Sequence, residues 1–195
     1  MLSQEFLQRL LNVSLRTLSL VSRFVLLFAL AYLLTPADIG RYGLMTATIG
    51  FSVLVIGGDF YAYSQRELMS RPKEEWGFIL QHQGVAAVLL YVVLLPINGL
   101  VFVFKLLPDC FILWFFILLV SEHLAQELYR LLVAMQRPIT ASCMLFVRMG
   151  LWIWVLLPVM WFVPTLQKLE TVFFAWFIGS MFSCVAGVVV VWHEV

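Results

Sequence analysis

Ionisable side chains lie inside strongly apolar stretches of this sequence. A lone charge near the centre of a bilayer costs about 2.5–3.5 kcal/mol on insertion scales, so such a residue normally faces a polar interior or a partner of opposite charge. Guanidinium and carboxylate groups there could pair with one another across helices, or line a solvated pathway through the membrane. The residues concerned are Arg16, Arg23, Asp59, His82, Glu122, His123, Glu127, Arg130 and Arg148.

Many of these residues are spaced so that they share one side of a helix. At about 100° per residue, the polar residues of 12–23 fall within an arc of about 60°, and those of 122–130 within about 140°. A static network of ion pairs between helices would explain this pattern, and so would a solvated pathway through the membrane; the two can coexist. Arg16 and Arg130, taken singly, are also typical of side chains that extend to the membrane interface.

Signatures of enzymes are sparse. His123 and Glu127 lie one helical turn apart, but they supply only two possible ligands, and a catalytic zinc site normally needs three. The sequence contains no nucleophile elbow, phosphate-binding loop or dinucleotide-binding glycine pattern. Cys110, Cys143 and Cys184 lie in or beside apolar stretches and are typical of small core residues. We therefore expect no enzymatic activity, no metal site and no cofactor.

The elements that position these residues are predicted to be transmembrane helices. Of the 195 residues, 63% are hydrophobic and 12% are charged, about half the charged fraction of a soluble domain. Polar clusters separate apolar runs of about 20 residues, the length that crosses a bilayer. Arg16 and Arg23 interrupt the first run, which favours a retained span over a cleaved signal peptide. We predict an all-α polytopic integral membrane protein with one domain, residues 1–195, and helices at 14–34, 43–63, 77–104, 110–134, 140–162 and 171–192.

The distribution of basic residues predicts the orientation of these helices. Cytosolic segments of membrane proteins are enriched in Lys and Arg. With the N-terminus in the cytosol, the inner segments hold Arg9, Arg66, Arg71, Lys73, Arg130 and Arg137, and the outer connections hold Arg41, Lys105 and Lys168. Both termini are therefore predicted to be cytosolic. The buried charges then lie mainly in the cytosolic half of the membrane, which predicts a vestibule open to the cytosol.

Small residues recur at packing intervals on two of the predicted helices. Such faces let helix backbones approach closely inside a membrane. They consist of Gly43, Ala47, Gly50 and Gly57 on the second helix and of Ala175, Gly179, Ser183 and Gly187 on the sixth. We predict a structural role for both faces.

Three stretches of the sequence resemble one transporter family. They are Tyr32–Gly43, which contains Thr35-Pro36-Ala37-Asp38-Ile39-Gly40, then Gly57-Gly58-Asp59, and Leu131–Pro138. Read in order, they resemble the amino-terminal half of polysaccharide exporters of the multidrug/oligosaccharidyl-lipid/polysaccharide superfamily, particularly O-antigen (Wzx-type) flippases. The similarity in spacing and hydropathy extends to about residue 160.

The resemblance implies a transporter of the bacterial inner membrane that moves an undecaprenyl-diphosphate-linked oligosaccharide to the periplasmic leaflet by alternating access. Members have two six-helix lobes around a central cavity, so this chain would be one lobe, or would need a second lobe or a second copy. Arginines lining the cavity would contact the diphosphate, and here these would be Arg16, Arg23 and Arg148. Asp59, Glu122 and Glu127 would pair with the arginines or carry coupling protons.

Two other functions remain open. A cation or drug antiporter of the same architecture would use the acidic residues as its substrate site. A membrane assembly subunit would use the charges only to bind neighbouring helices. The expected partners of the favoured function are a lipid-linked oligosaccharide and the lipid bilayer, and not nucleic acid.

Overall fold

A computed structural model describes residues 4–57, 66–72 and 75–194 of the chain. Within these ranges the structure has six helices that are long and apolar enough to cross a membrane. They are α1 (Gln4–Leu33), α2 (Pro36–Gly57), α3 (Trp76–Val103), α4 (Ile112–Ala134), α5 (Pro138–Phe162) and α6 (Leu169–Glu194). The prediction of an all-α polytopic membrane protein is confirmed. The bounds of α3 to α6 lie within two residues of those predicted.

The first two helices begin earlier than predicted. α1 starts at Gln4 rather than near residue 14, and its additional turns expose apolar side chains such as Phe6 and Leu10. Such turns form an amphipathic segment suited to the membrane interface. α2 starts at Pro36 rather than near residue 43, because Thr35 caps the helix: its Oγ1 accepts a hydrogen bond of 3.2 Å from the Asp38 amide. A proline in the first turn suits a helix start.

The hydrophobic core lies around α4, which packs against α2, α5 and α6. Its apolar face is fully buried at Phe115, Leu118 and Leu119. The facing helices contribute buried residues that join the same cluster: Leu26 and Leu30 from α1, Met45 and Ile49 from α2, Ile153 and Met160 from α5, and Val172 and Phe173 from α6. Three of the helices that carry intramembrane charges, α1, α4 and α5, therefore meet around this core.

α3 lies at the periphery of the bundle. Its only buried residues are Ile79 and Phe102, and about half of its apolar side chains are exposed. Side-chain hydrogen bonds attach it to α2 and α4, and these join Ser52 to Asn98, Tyr91 to His123, and Gln83 to Glu127. Polar contacts thus supplement a sparse apolar interface.

The two faces of small residues have different surroundings. On α6, a Cβ atom added at Gly179 would collide with the Trp152 ring, and one at Gly187 would lie 2.6 Å from the Met144 Cε atom. The predicted packing role is therefore confirmed for these two glycines. On α2, a Cβ at Gly43 or Gly50 would meet nothing within 4 Å among the described residues. The prediction that these two positions pack against another helix is wrong within the described part of the chain.

The cysteines also differ from the prediction in part. Cys184 is buried and is a core residue, whereas Cys110 and Cys143 are exposed and are not. Spacing along an apolar helix does not distinguish a lipid-facing side from a protein-facing side, because both are apolar.

Candidate functional site

A cavity of about 360 Å³ lies between α1, α2, α4, α5 and α6. This volume falls in the range of about 300–1,000 Å³ that is usual for small-molecule sites. Its charged and polar lining consists of Arg23, Thr46, Glu122, Gln126, Arg130 and Arg148, and its aromatic lining of Tyr42, Trp152 and Trp176. We call this space the arginine cavity.

The arginine cavity extends from mid-membrane towards the C-terminal end of α4. Glu122 lies ten residues from the start of α4 and Arg148 ten residues from the start of α5, which places each about 15 Å along its helix. Arg130 lies four residues from the end of α4, or about 6 Å. The charge distribution predicts that this end of α4 is cytosolic.

Glu122 and Arg148 form a buried ion pair at the centre of the site. The Arg148 Nε atom lies 3.1 Å from Glu122 Oε2, and each side chain is about 5–6% exposed. The other carboxylate oxygen, Oε1, accepts a hydrogen bond of 2.8 Å from Trp176 Nε1 and a second from the Ser180 hydroxyl. Glu122 therefore joins α4 to both α5 and α6.

Arg148 retains donor capacity in this arrangement. Its Nη1 atom is buried and has no hydrogen-bond acceptor in the described part of the chain. An unsatisfied donor in a low-dielectric interior is costly, so an anion that entered the cavity would be stabilised there.

The backbone that carries Arg148 is irregular. Val147–Leu151 forms a π-helical turn within α5, a feature that often occurs at functional sites. α5 also approaches α1 closely here: a Cβ atom at Gly150 would lie 3.1 Å from Ser22 Oγ and 2.8 Å from the Phe146 ring. The wider turn changes the rotation of α5 at Arg148, and the sequence contains no pattern that predicts it.

Arg23 lines the cavity and is exposed. Glu127 does not pair with Arg23, because Glu127 Oε1 instead lies 2.6 Å from Arg130 Nη1. Arg130 is three residues away on the same helix, whereas α1 packs mainly against α5. No ion pair joins Arg23 to a carboxylate within residues 4–57, 66–72 and 75–194.

Arg16 lies away from the arginine cavity. Its Nη2 atom donates to the Tyr129 hydroxyl at 3.1 Å and its Nε to Ser142 Oγ at 3.5 Å, and Ser142 in turn donates to Asn12. The structure therefore separates Arg16 from Arg23 and Arg148, and gives it contacts that connect α1 to α4 and α5.

Two further residues singled out from the sequence are Asp59 and His82. Asp59 lies outside the described residues. His82 is exposed on α3, where its Nδ1 atom lies 2.9 Å from the carbonyl oxygen of Phe78 on the same helix.

Sequence reasoning missed Arg130 as a lining residue. It lies eight residues after Glu122 and four after Gln126, so the three are on one side of α4. That spacing was available in the sequence. The aromatic walls, Tyr42, Trp152 and Trp176, carry no comparable signal in a chain that is 15% aromatic.

Comparison with protein-family models, with curated proteins and with solved structures gave no match. The chemistry of the arginine cavity is therefore the basis on which a function can be proposed.

Proposed function

We propose that this protein is a membrane transporter, or one lobe of a transporter, that binds the diphosphate of a polyprenyl-linked oligosaccharide and moves it across the bacterial inner membrane by alternating access. One observation carries the proposal: three arginines from three helices line one intramembrane cavity, and among the described residues only one carboxylate lines it with them. An excess of guanidinium groups in such a space favours a multiply charged anion.

Arg148 and Arg23 would each contribute hydrogen-bond donors to the bound diphosphate. Glu122 holds Arg148 by its Nε atom, which leaves the Nη1 donor available to a ligand. Arg23 has no carboxylate partner among the described residues, so its charge is available to a ligand. Planar guanidiniums on two helices can each donate paired hydrogen bonds to phosphate oxygens.

The size of the cavity limits what it would hold. At about 360 Å³ it lies near the lower end of the range for small-molecule sites, so it would take the charged head group rather than a complete oligosaccharide. Arg23, Gly43 and Gly50 are exposed on the adjoining faces of α1 and α2. A charged residue within a span is not stable against lipid, so a second six-helix lobe or a second copy of the chain would cover these faces and complete the cavity.

A structural function is the main competitor, and one observation favours it. Glu122 is fully engaged by Arg148, Trp176 and Ser180 inside the chain. A membrane assembly subunit would need these contacts and no ligand.

A cation or drug antiporter is favoured by a different feature: Glu127 faces a second, mainly apolar cavity of about 280 Å³. Resistance to lipophilic cationic drugs in expressing cells would support that function.

Binding of a diphosphate lipid by the full chain tests the proposal. In nanodiscs, native mass spectrometry would compare undecaprenyl diphosphate with undecaprenyl monophosphate and undecaprenol. We expect retention in that order, and loss of the preference in Arg23→Ala. Arg9→Ala is the matched control, since Arg9 is exposed on α1 and does not line the cavity. Equal retention of all three lipids by the wild-type chain would reject the proposal.

A further inference from the structure

His123 lines the second cavity, which lies between α2, α3, α4 and α6. The side chain is 3% exposed, and its Nε2 atom has no hydrogen-bond partner in the described part of the chain. This nitrogen lies 3.9 Å from the Oε1 atom of Glu127. A buried imidazole nitrogen directed at a carboxylate, without a hydrogen bond of its own, is a candidate proton site.

The other ring nitrogen is compatible with both protonation states. His123 Nδ1 lies 2.5 Å from the Tyr91 hydroxyl of α3. A phenol can donate to a bare nitrogen or accept from a protonated one. In the imidazolium both nitrogens are donors, so Nδ1–H would bond to Tyr91 and Nε2–H would be directed at Glu127.

Glu127 connects His123 to the arginine cavity. The same oxygen, Oε1, lies 2.6 Å from Arg130 Nη1, and Arg130 lines the arginine cavity. The other oxygen, Oε2, accepts a hydrogen bond of 2.8 Å from Gln83 Nε2. An imidazolium at His123 would therefore compete with Arg130 for one carboxylate oxygen.

We propose that His123 is a proton-binding site, linked through Glu127 and Arg130 to anion binding in the arginine cavity. The linkage rests on the proposed function, whereas the proton site does not. An anion that draws Arg130 towards the cavity frees Glu127 Oε1 for the imidazolium, so anion and proton bind together. By thermodynamic reciprocity, protonation of His123 tightens anion binding.

One carboxylate and one guanidinium are among the groups that face His123. Among the described residues, the titratable or charged groups around it are Tyr91 from α3, Cys184 from α6, and Glu127 and Arg130 from its own helix. Ile56 is the residue that α2 contributes to the lining of this cavity. Glu127 is the only carboxylate among these groups, so it is the group that could stabilise an imidazolium at His123.

The proton site can be tested without an anion. The full chain would be labelled with ¹⁵N-histidine in nanodiscs, in a background with His82→Gln and His193→Gln, and the protonated fraction of His123 measured by NMR between pH 5 and 8. We expect Arg130→Gln to raise the ratio of protonated to neutral imidazole about tenfold, because it removes a cation from Glu127. Glu127→Gln should lower that ratio about tenfold, because it removes the anion.

The two variants are expected to shift the ratio of protonated to neutral imidazole in opposite directions. General disruption of α4 would instead shift the ratio in the same direction in both variants. Arg9→Gln is the control and should leave the ratio unchanged, because Arg9 lines neither cavity. Absence of a shift in both variants, or shifts of the same sign, would overturn the proton site.

The linkage is tested with inorganic pyrophosphate. Calorimetric titrations in two buffers with different heats of ionisation give the number of protons taken up on binding. Pyrophosphate exchanges protons of its own in this pH range, so the two proteins are compared. We expect the wild-type chain to take up more protons per bound pyrophosphate than His123→Gln, and its affinity to depend more strongly on pH. Equal proton exchange by the two proteins would overturn the linkage. Failure of pyrophosphate to bind at any pH would reject the proposed function and the linkage, and the NMR shifts would still decide the proton site.

Discussion

Glu122 and Arg148 form an ion pair of 3.1 Å between α4 and α5 at mid-membrane, and both side chains are almost completely buried. Two hydrogen bonds from α6 complete the coordination of the Glu122 carboxylate. The pair therefore joins three helices at the depth where an uncompensated charge is most costly.

This ion pair should be strongly coupled in a double-mutant cycle. Removing one partner strands a buried charge, so Glu122→Ala or Arg148→Ala should each destabilise the protein by about 3–5 kcal/mol. The double variant should recover much of that loss, because it strands neither charge. Unfolding of the purified chain in increasing SDS measures these effects. Additive losses would show that the two residues act independently.

Arg23 should behave differently, because it has no ion-pair partner among the described residues. Arg23→Ala should leave the abundance of the protein near normal and abolish glycan export in cells that depend on the transporter. Arg23→Lys should restore only part of the export, because an ammonium keeps the charge and loses the paired donors. Immunoblotting and surface detection of the glycan measure the two effects. Normal export by Arg23→Ala at normal abundance would contradict the ligand role.

The two helices with small-residue faces offer a matched pair of glycine substitutions. Gly179→Val should lower stability by about 1–3 kcal/mol, because its side chain would collide with Trp152. Gly43→Val should leave the stability of the isolated chain near that of the wild type, because nothing described lies within 4 Å of the added Cβ. SDS unfolding compares them.

The same Gly43→Val variant tests whether a second lobe or copy covers α2. If a partner packs there, the substitution should weaken association in the membrane while the chain itself stays stable. Crosslinking in native membranes measures association. Unchanged crosslinking to a partner would exclude this face from the interface.

The predicted orientation can be tested by cysteine labelling in intact cells. Lys105 is exposed, so Lys105→Cys in a Cys110→Ser background should react with a membrane-impermeant maleimide from the outside. Ser70→Cys, exposed in the connection between α2 and α3, should react only after the cells are permeabilised. Leu107, in the same connection between α3 and α4, is unsuitable as a reporter because it is buried. The reverse labelling pattern would reject the orientation and the cytosolic vestibule.

The sequence by itself determined the six spans and their approximate bounds. A bilayer requires about 20 apolar residues to cross it, and prolines punctuate the runs, so α3 to α6 were predictable to within two residues. It also showed that Arg23, Glu122 and Arg148 are charges within apolar spans. Such charges need a polar surrounding or a partner, because a charge within a span is costly wherever the helix packs. The helical start at Pro36 was missed, although Thr35 and Asp38 provide a local capping signal.

Only the tertiary structure decided which charges meet. Arg130 rather than Arg23 pairs with Glu127, Glu122 pairs with Arg148, and Arg16 contacts Tyr129 outside the arginine cavity. The spacing of residues fixes the side of a helix on which each lies, but the rotation of that helix against its neighbours depends on how all six pack. The π-helical turn at Arg148 and the close approach at Gly150 change that rotation locally, and helical periodicity contains no information about either.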